Sequence, residues 1–309
     1  MNLTSQTQFK LEPGKLWTRT IQQTEHAIKC GSLLSIPTEY ELVEQEGISF
    51  IVRILANLKR KDEAKKQQEK KTAKSGKEFN PFLPYEEDLF VADISDTHLC
   101  LLNKFNIIDY HLLIVTRAFE EQESLLTVAD FEAMWISLAE IDGLAFYNSG
   151  KMAGASQRHK HLQLVRLPLV PDGAKIPIAS AIESANFQDD IGKISEFKFI
   201  HGIAKLDPTW IESPTEAAEA TMALYNNLLL YVGLIGNDSV NYKGESRAYN
   251  LLATREWMMI IARSQEDFQS ISVNSLGFAG AMLVRNEAQM KLLKDLGPMS
   301  ILKHVARRL

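Results

Sequence analysis

Two histidines and a glutamine alternate with other residues in the stretch GASQRHKHLQLV, which begins at Gly154. Side chains two positions apart in an extended strand lie on the same face, so His159, His161 and Gln163 are predicted to line one side of a strand. The leucines that follow His161 and Gln163 would point to the other side, into a core. Because polar side chains are costly to bury unless they bind something, this row is a candidate for chemistry.

Three kinds of site fit this row. It could be a polar face turned to solvent. Its two imidazoles could chelate a metal ion, which needs at least one more ligand, and the spacing of His98, His111 and His201 does not mark any of them as that ligand. In the third case, one imidazole nitrogen acts as a nucleophile towards phosphorus.

The preceding sequence favours the nucleophile. The segments YNSG (147–150) and GASQ (154–157) supply small residues, backbone N–H groups, a hydroxyl and amides, which are suited to holding phosphate oxygens. An amide such as that of Gln163 can donate to a phosphate oxygen but cannot shuttle a proton at neutral pH. The site is therefore better suited to an acceptor that arrives as an anion than to deprotonating water.

The elements that must position these residues are predicted from hydrophobic patterning. A helix is expected over 127–141, with Thr127 and Asp130 in a capping box, and another over 213–232, with Ser213 as N-cap. Two short helices divided at Gly297-Pro298 should follow residue 286. Strands are predicted at 49–55, 111–117, 143–149, 159–167, 196–206 and 257–264. Since helices do not separate each pair of strands, we expect an antiparallel α+β fold rather than a doubly wound parallel sheet.

Overall composition bounds the class of protein. The 309 residues suffice for two packed domains, with a boundary within 171–195. A net charge of −5 gives no general indication of nucleic-acid binding. Only Cys30 and Cys100 are present, which indicates a reducing compartment. With no signal-peptide pattern and no apolar run of about 18 residues, we expect a cytoplasmic protein without a membrane partner.

One segment departs from this composition. Residues 58–79 contain nine Lys or Arg and four Asp or Glu, a local net charge of +5. The segment has little to bury, and a mobile loop or a solvated helix is expected. The alternative is a flap that attracts a polyanion.

The motif G-A-S-Q-x-H-K-H-L-Q resembles the signature of the diadenosine tetraphosphate (Ap4A) phosphorylases, also called ATP adenylyltransferases. These enzymes form a branch of the histidine-triad superfamily, alongside the galactose-1-phosphate uridylyltransferases. Three further segments look like family segments in family order: NPFLPYEEDLFV (80–91), YNSG, and SISVNSLGFAGAMLV (270–284). The HPH form usual in the uridylyltransferases is absent, because Lys160 stands in place of the proline.

This resemblance implies a fold and a reaction. Residues 1–180 would form a catalytic domain with a histidine-triad-like antiparallel sheet and flanking helices, and residues 190–309 a C-terminal α+β ATP adenylyltransferase domain. The reaction would be the reversible phosphorolysis of Ap4A to ADP and ATP, through an adenylyl group on His161. No organic cofactor is expected, and Mg²⁺ would arrive with the substrate. The small-molecule partners would be the dinucleotide, ATP, ADP and phosphate, and the enzyme a monomer or a dimer.

The resemblance also implies site roles. His161 would be the nucleophile, and a backbone carbonyl near His159 or within 148–156 would accept its other N–H. Gln163, Ser156 and the backbone amides of 154–157 would hold the oxygens of the α-phosphate. The residues predicted to bind substrate are Arg53, Asn80, Asn148, Gly154, Ala155, Ser156, Gln157, His159, Gln163, Asn274, Ser275, Leu276 and Arg285.

Several of these residues have simpler explanations. Arg53 could face solvent from its strand, Asn80 could form an Asx turn before Pro81, and Asn148 could be a turn residue. Other functions also stay open: a nucleotide-sugar uridylyl- or adenylyltransferase, a dinucleoside polyphosphate hydrolase, a nucleotide-binding protein with an inactive site, and a histidine-ligated metalloprotein. Gln163 argues against the hydrolase, and the missing HPH argues against uridylyl transfer.

Overall fold

The computed structural model describes residues 12–55, 79–170, 174–236 and 247–309. The predicted basic segment therefore lies outside the described residues, apart from Phe79. Within the described ranges the α-helices are α1 (Leu16–Cys30), α2 (Val128–Glu140), α3 (Ala179–Glu183), α4 (Pro214–Tyr231), α5 (Ser275–Phe278), α6 (Glu287–Leu296) and α7 (Pro298–Val305). None of these described helices is both long and apolar enough to cross a lipid bilayer.

A ten-stranded sheet forms the centre of the molecule. Its strands are β3 (Phe90–Asp93), β4 (His98–Leu102), β5 (Leu112–Thr116), β6 (Gly143–Asn148), β7 (His161–Arg166), β8 (Asn186–Gln188), β9 (Ile191–Lys193), β10 (His201–Lys205), β11 (Tyr249–Ala253) and β12 (Trp257–Ala262). They lie in the order β3-β4-β5-β7-β6-β11-β12-β10-β9-β8, and every neighbouring pair is antiparallel. The predicted antiparallel α+β class is confirmed.

Two smaller sheets accompany it. One consists of β1 (Thr38–Gln45), β2 (Ile48–Leu55) and β15 (Ala281–Val284), in which β15 runs parallel to β2. The other pairs β13 (Asp267–Phe268) with β14 (Ile271–Ser272). Strands from both halves of the chain join in two of the three sheets, since β6 pairs with β11 and β2 pairs with β15. The described part of the range predicted to hold the boundary, 171–195, contains α3, β8 and β9, and the halves of the chain on either side of it share the large sheet.

The two faces of the large sheet carry separate cores. Helices α1, α2 and α4 cover one face, where Phe131, Trp135 and Tyr225 pack with Leu162 and Leu164. The small β1-β2-β15 sheet and the C-terminal helices cover the other face, where Phe50 and Val52 pack with Phe146 and Val165. Strand β7 lies between these cores, and the alternation in its sequence decides which side chains enter which one.

Local sequence signals explain several element ends. The Thr127–Asp130 capping box at the start of α2 is present as predicted, and Gly297-Pro298 divides α6 from α7 as predicted. Ser213 precedes α4 without a side-chain capping hydrogen bond. The strand predicted over 196–206 is shorter, because the chain before β10 pairs with the C-terminal tail: the Ile200 amide donates to the Arg307 carbonyl.

Candidate active site

Strand β7 places the predicted chemical row on one face at the middle of the sheet. It pairs with β5 through Val115 opposite His161, and with β6 through Phe146 opposite Gln163. Leu162 points into the helix-covered core, as predicted. His161 and Gln163 lie on the other face and are 5% and 9% exposed to solvent. His159 precedes the strand, which begins two residues later than the pattern indicates.

The hydrogen bonds of His161 fix its tautomer. Nδ1 lies 2.8 Å from the carbonyl oxygen of His159, which is the kind of acceptor the sequence led us to expect. Nδ1–H therefore donates, and Nε2 keeps its lone pair; no described residue forms a hydrogen bond with Nε2. Burial lowers the pKa of His161 to about 4, although the hydrogen bond to the His159 carbonyl acts in the opposite direction. The imidazole is neutral at pH 7, as a nucleophile must be.

His159 is held on both ring nitrogens. Nε2–H donates to the carbonyl oxygen of Thr116 at 2.8 Å, and Nδ1 accepts from Nδ2 of Asn80 at 3.0 Å. Asn80 Oδ1 in turn accepts from the Phe82 amide, which is the Asx turn considered above. The Phe82 ring contacts the rings of both His159 and His161 edge-on. Both ring nitrogens of His159 are thus used within the protein, and the substrate contacts predicted for His159 and Asn80 stay predictions.

Gln163 has a partner that sequence spacing did not identify. Nε2–H of His111 donates to Oε1 of Gln163 at 2.9 Å, and Nδ1 of His111 accepts from Nδ2 of Asn103 at 3.3 Å. These two contacts turn the Gln163 amide so that its NH₂ group is the part left for a ligand. Burial lowers the pKa of His111 to about 4, which keeps this ring neutral. The register of β5 with β7 brings the pair together across 52 residues.

Gln122 links the start of β7, at His161, to the end of β6, at Asn148. Its Oε1 accepts from the His161 amide at 2.8 Å, while its Nε2 donates to the carbonyl oxygens of Asn148 and His161 at 3.0 and 3.2 Å. The side chain thereby continues the β6–β7 ladder where the strands separate. Gln122 is buried, and nothing in its sequence surroundings marked it as a site residue.

A buried polar network joins the YNSG segment to α5. Asn148 Oδ1 accepts from the Ser275 amide at 2.9 Å, from Ser275 Oγ at 2.8 Å and from Asn250 Nδ2 at 2.9 Å. Arg263, which is fully buried, donates to Asn250 Oδ1 and to the Val273 carbonyl oxygen. The structure thus brings the predicted Asn148 and Ser275 together, and the contacts it gives them lie within the protein. Their contacts with nucleotide stay predictions.

The loop before His159 folds tightly against the segment that precedes α5. Gly154 has a φ of +90°, and a Cβ there would lie 2.8 Å from the Val273 carbonyl oxygen and 3.0 Å from Asn274, so only glycine fits. The amides of Gly154 and Ala155 donate to the carbonyl oxygens of Lys151 and Gly150. Those two amides donate within the loop, and the phosphate contacts predicted for them stay predictions. Ser156 lies exposed in this loop and Gln157 is half-buried, and the roles predicted for both stay predictions.

The remaining predicted residues lie on or beside the small sheet and α5. Arg53 on β2 is half-buried, and its Nε is buried without a hydrogen-bond partner among the described residues. Arg285 follows β15 and is exposed. Asn274 caps α5 by accepting from the Leu276 amide at 3.0 Å. No described contact links either arginine to His161.

Lys160, the residue in place of the HPH proline, points away from the histidines. Its Nζ lies 2.7 Å from Asp130 Oδ2 and 3.1 Å from Glu120 Oε2, and the side chain is 1% exposed. Burial acts to raise the pKa of Asp130, but hydrogen bonds from His98 and Lys160 and the charge of Lys160 lower it to about 2. This buried ion pair fixes the backbone between His159 and His161 from behind.

Comparison with models of known protein families shows which family the chain matches. The model for the Ap4A phosphorylase N-terminal domain matches residues 6–184, and the model for the ATP adenylyltransferase C-terminal domain matches residues 195–308. The chain belongs to the Ap4A phosphorylase family. The resemblance found in the sequence is thereby confirmed, and the His161 and Gln163 geometry lies within the region matched by the N-terminal model.

Individual relatives agree with this Ap4A phosphorylase assignment. Diadenosine 5',5'''-P1,P4-tetraphosphate phosphorylase 2 of Saccharomyces cerevisiae is 27% identical over 277 residues, 81% of each chain. Protein APA1 of the same organism is 29% identical over 200 residues, covering 60% of this chain and 61% of that protein. The crystal structure of yeast Ap4A phosphorylase Apa2 has a TM-score of 0.76 at 21% identity, over 94% of both chains. This last similarity shows that the fold is shared.

Proposed function

We propose that this chain catalyses the phosphorolysis of diadenosine tetraphosphate to ADP and ATP through an adenylyl group carried on His161. The observation that supports the proposal most strongly is the hydrogen bond from His161 Nδ1 to the His159 carbonyl oxygen, 2.8 Å long. It directs the lone pair of Nε2 away from the backbone, towards the face that carries Gln163. Family membership and the activity named for the yeast relative point to the same substrate.

In the first step, the Nε2 lone pair attacks the α-phosphorus of the dinucleotide. A nitrogen–phosphorus bond forms, the bond from that phosphorus to the bridging oxygen breaks, and ATP leaves with the electron pair. The His159 carbonyl stabilises the positive charge that develops on the imidazole ring, because Nδ1–H already donates to it. Covalent catalysis of this kind divides one difficult displacement into two easier ones.

In the second step, an oxygen of inorganic phosphate attacks the adenylyl group. The new oxygen–phosphorus bond gives ADP, and the nitrogen–phosphorus bond breaks so that its electron pair returns to Nε2. Gln163, oriented by His111, donates its NH₂ group to the phosphate oxygens as charge moves. An amide cannot remove a proton from water, so the site favours an anionic acceptor over hydrolysis.

The polyphosphate chain needs positive charge. Arg53 supports such a role, since its buried Nε has no partner among the described residues while Thr38 and Leu169 occupy its terminal nitrogens at 3.3 and 3.4 Å. Arg285 is proposed to contribute from the end of β15, and Mg²⁺ would arrive bound to the substrate. We place the enzyme in the cytoplasm, acting on small molecules as a monomer or a dimer.

The test is incubation of the purified protein with diadenosine tetraphosphate, with and without inorganic phosphate, followed by separation of the nucleotides. We expect ADP and ATP in equal amounts, formed only when phosphate is present. AMP and ATP in equal amounts without added phosphate would show a hydrolase and contradict the proposal.

Variants locate the nucleophile. His161→Asn should abolish turnover, His159→Asn should only reduce it, and His304→Asn, on α7, should leave it unchanged as the control. A His161→Asn protein that turns over near the wild-type rate would contradict the assignment of the nucleophile.

A further inference from the structure

Helix α1 and the turn before β3 bring together three side chains that the proposed reaction does not use. His26 and Cys30 are four positions apart on α1 and therefore share one face of the helix. Asp88 lies in a short 3₁₀ turn, Glu87–Leu89, which α1 contacts. We refer to His26, Cys30 and Asp88 as the α1 cluster. It carries a nitrogen, a sulfur and an oxygen donor.

The donor atoms of the α1 cluster are already close. One ligand atom from each residue lies within 4.8 Å of the other two, and His26 Nε2 lies 2.8 Å from Asp88 Oδ1. Ligands at the usual zinc distances of about 2.0 to 2.3 Å are separated from one another by roughly 3.3 to 3.8 Å in a tetrahedral site. Small side-chain rotations would bring the cluster to that spacing. Within the described ranges it is the single group of three such residues that meets this limit.

Neighbouring residues hold the aspartate in place. Ser32 Oγ donates to Asp88 Oδ2 at 3.1 Å, and Gln23 Nε2 donates to the Asp88 carbonyl oxygen at 2.6 Å. These bonds orient the carboxylate so that Oδ1 faces His26, while the Cys30 thiol donates to the Ala27 carbonyl oxygen at 3.6 Å. Second-sphere contacts of this type are what orient metal ligands in zinc sites.

The cluster is open to solvent and distant from the reaction. The His26 and Asp88 side chains are 53% and 49% exposed, and Cys30 is exposed as a free thiol. Helix α1 packs through Leu16 and Ala27 into the core that contains Leu162, on the opposite face of the sheet from His161. A metal ion could reach the cluster without entering the active site.

We propose that His26, Cys30 and Asp88 bind Zn²⁺ as three protein ligands, with water in the fourth position. Imidazole, thiolate and carboxylate together form a donor set that suits this ion. Binding releases the thiol proton of Cys30 to solvent, and the neutral His26 ring carries its N–H on Nδ1 while Nε2 binds the ion, which takes the place of the hydrogen bond to Asp88 Oδ1. The site would link α1 to the turn that leads into the edge strand β3.

The experiment uses the full chain without an affinity tag, titrated with Co²⁺ as a spectroscopic substitute for zinc. We expect one cobalt per chain, a thiolate-to-cobalt charge-transfer band in the near ultraviolet, and loss of that band when Zn²⁺ is added. Cys30→Ser should abolish the band, and Ser32→Ala should weaken binding by about 10- to 100-fold. Cys100→Ala is the control and should keep the band, since Cys100 is buried in the core.

Two results would overturn the proposal. One is the absence of stoichiometric cobalt binding to the wild-type chain. The other is a charge-transfer band that survives Cys30→Ser or His26→Asn. Binding is read from the spectrum and not from turnover, so neither result depends on whether the chain is a phosphorylase.

Discussion

Hydrogen bonds at the active-site residues give each polar side chain a different task. His159 is held on both nitrogens and positions the backbone carbonyl that His161 needs. In the proposed mechanism His161 attacks through Nε2, and Gln163 donates its NH₂ group because His111 occupies its oxygen. The alternation in sequence predicted the row and its face. It could not predict His111, because that contact depends on the register between two strands distant in sequence.

Gln163→Met tests the donor role. Methionine has a similar length but no N–H group, so stabilisation of the transferring phosphate is lost. We expect kcat to fall by about 10²- to 10³-fold, with a smaller change in KM because the contact strengthens in the transition state. Steady-state kinetics of phosphorolysis measure this.

His111→Phe keeps the Gln163 donor but removes its restraint, and we expect a smaller loss in kcat than for Gln163→Met. The same His304→Asn control applies. A Gln163→Met enzyme with unchanged kcat and a raised KM would show that Gln163 binds the ground state and the transition state equally, contrary to our mechanism.

At the scale of the elements, an ion pair links helix α2 to the residue that precedes strand β7. Asp130 caps α2, accepts from His98 Nε2 at 3.1 Å and pairs with Lys160 Nζ at 2.7 Å. The capping box of Thr127 and Asp130 was predicted from the sequence. Lys160 was identified only as the residue that replaces the proline of the uridylyltransferase motif. The ion pair could not be predicted, because it joins residues 30 positions apart across two layers.

Lys160→Met should destabilise the fold by about 3 to 5 kcal/mol, since it leaves the buried Asp130 carboxylate without its charged partner. Lys175→Met is the matched control: Lys175 pairs with Asp142 on the surface, 69% and 48% exposed, and its loss should cost less than about 1 kcal/mol. Urea unfolding of the three proteins measures both. Equal stabilities for the two variants would contradict a structural role for the buried pair.

Hydrophobic patterning in the sequence explains which strands were predicted correctly and which were not. The strands at 111–117, 143–149 and 257–264 are continuous apolar runs, and each is observed within one or two residues of the prediction. Strand β1, TEYELVEQ, was missed because it is a mostly exposed edge strand with few apolar residues. The strand at 196–206 was predicted too long, since part of it pairs with the C-terminal tail.

Across the whole molecule, the large sheet buries neutral histidines between its cores. Burial lowers the pKa values of His111 and His161 to about 4, against an ordinary value of 6.5. As the pH falls below about 6.5, the unfolded chain binds protons that the folded chain does not, so stability must decrease. The stability that the folded chain gains from keeping these two histidines neutral is fully present above about pH 6.5. It is lost progressively towards pH 4 and changes no further below that pH.

Between pH 7 and pH 5, these pKa shifts reduce the free energy of unfolding by up to about 2 kcal/mol for each histidine. We expect the His111→Asn, His161→Asn double variant to lose less stability than the wild type over this range. Denaturant unfolding at several pH values measures the two slopes. Identical slopes would mean that both rings titrate in the folded protein with their ordinary pKa, contrary to the lowering by burial.

The most direct test of the mechanism is to look for the adenylyl group on His161 itself. The protein is mixed with diadenosine tetraphosphate without phosphate, denatured at neutral pH and digested with trypsin. Cleavage after Lys160 and Arg166 releases HLQLVR, a peptide whose one histidine is His161, separate from His159. We predict that mass spectrometry finds one adenylyl group on this peptide, and that added phosphate removes it as ADP. An unmodified peptide from protein that has released ATP would contradict the covalent mechanism.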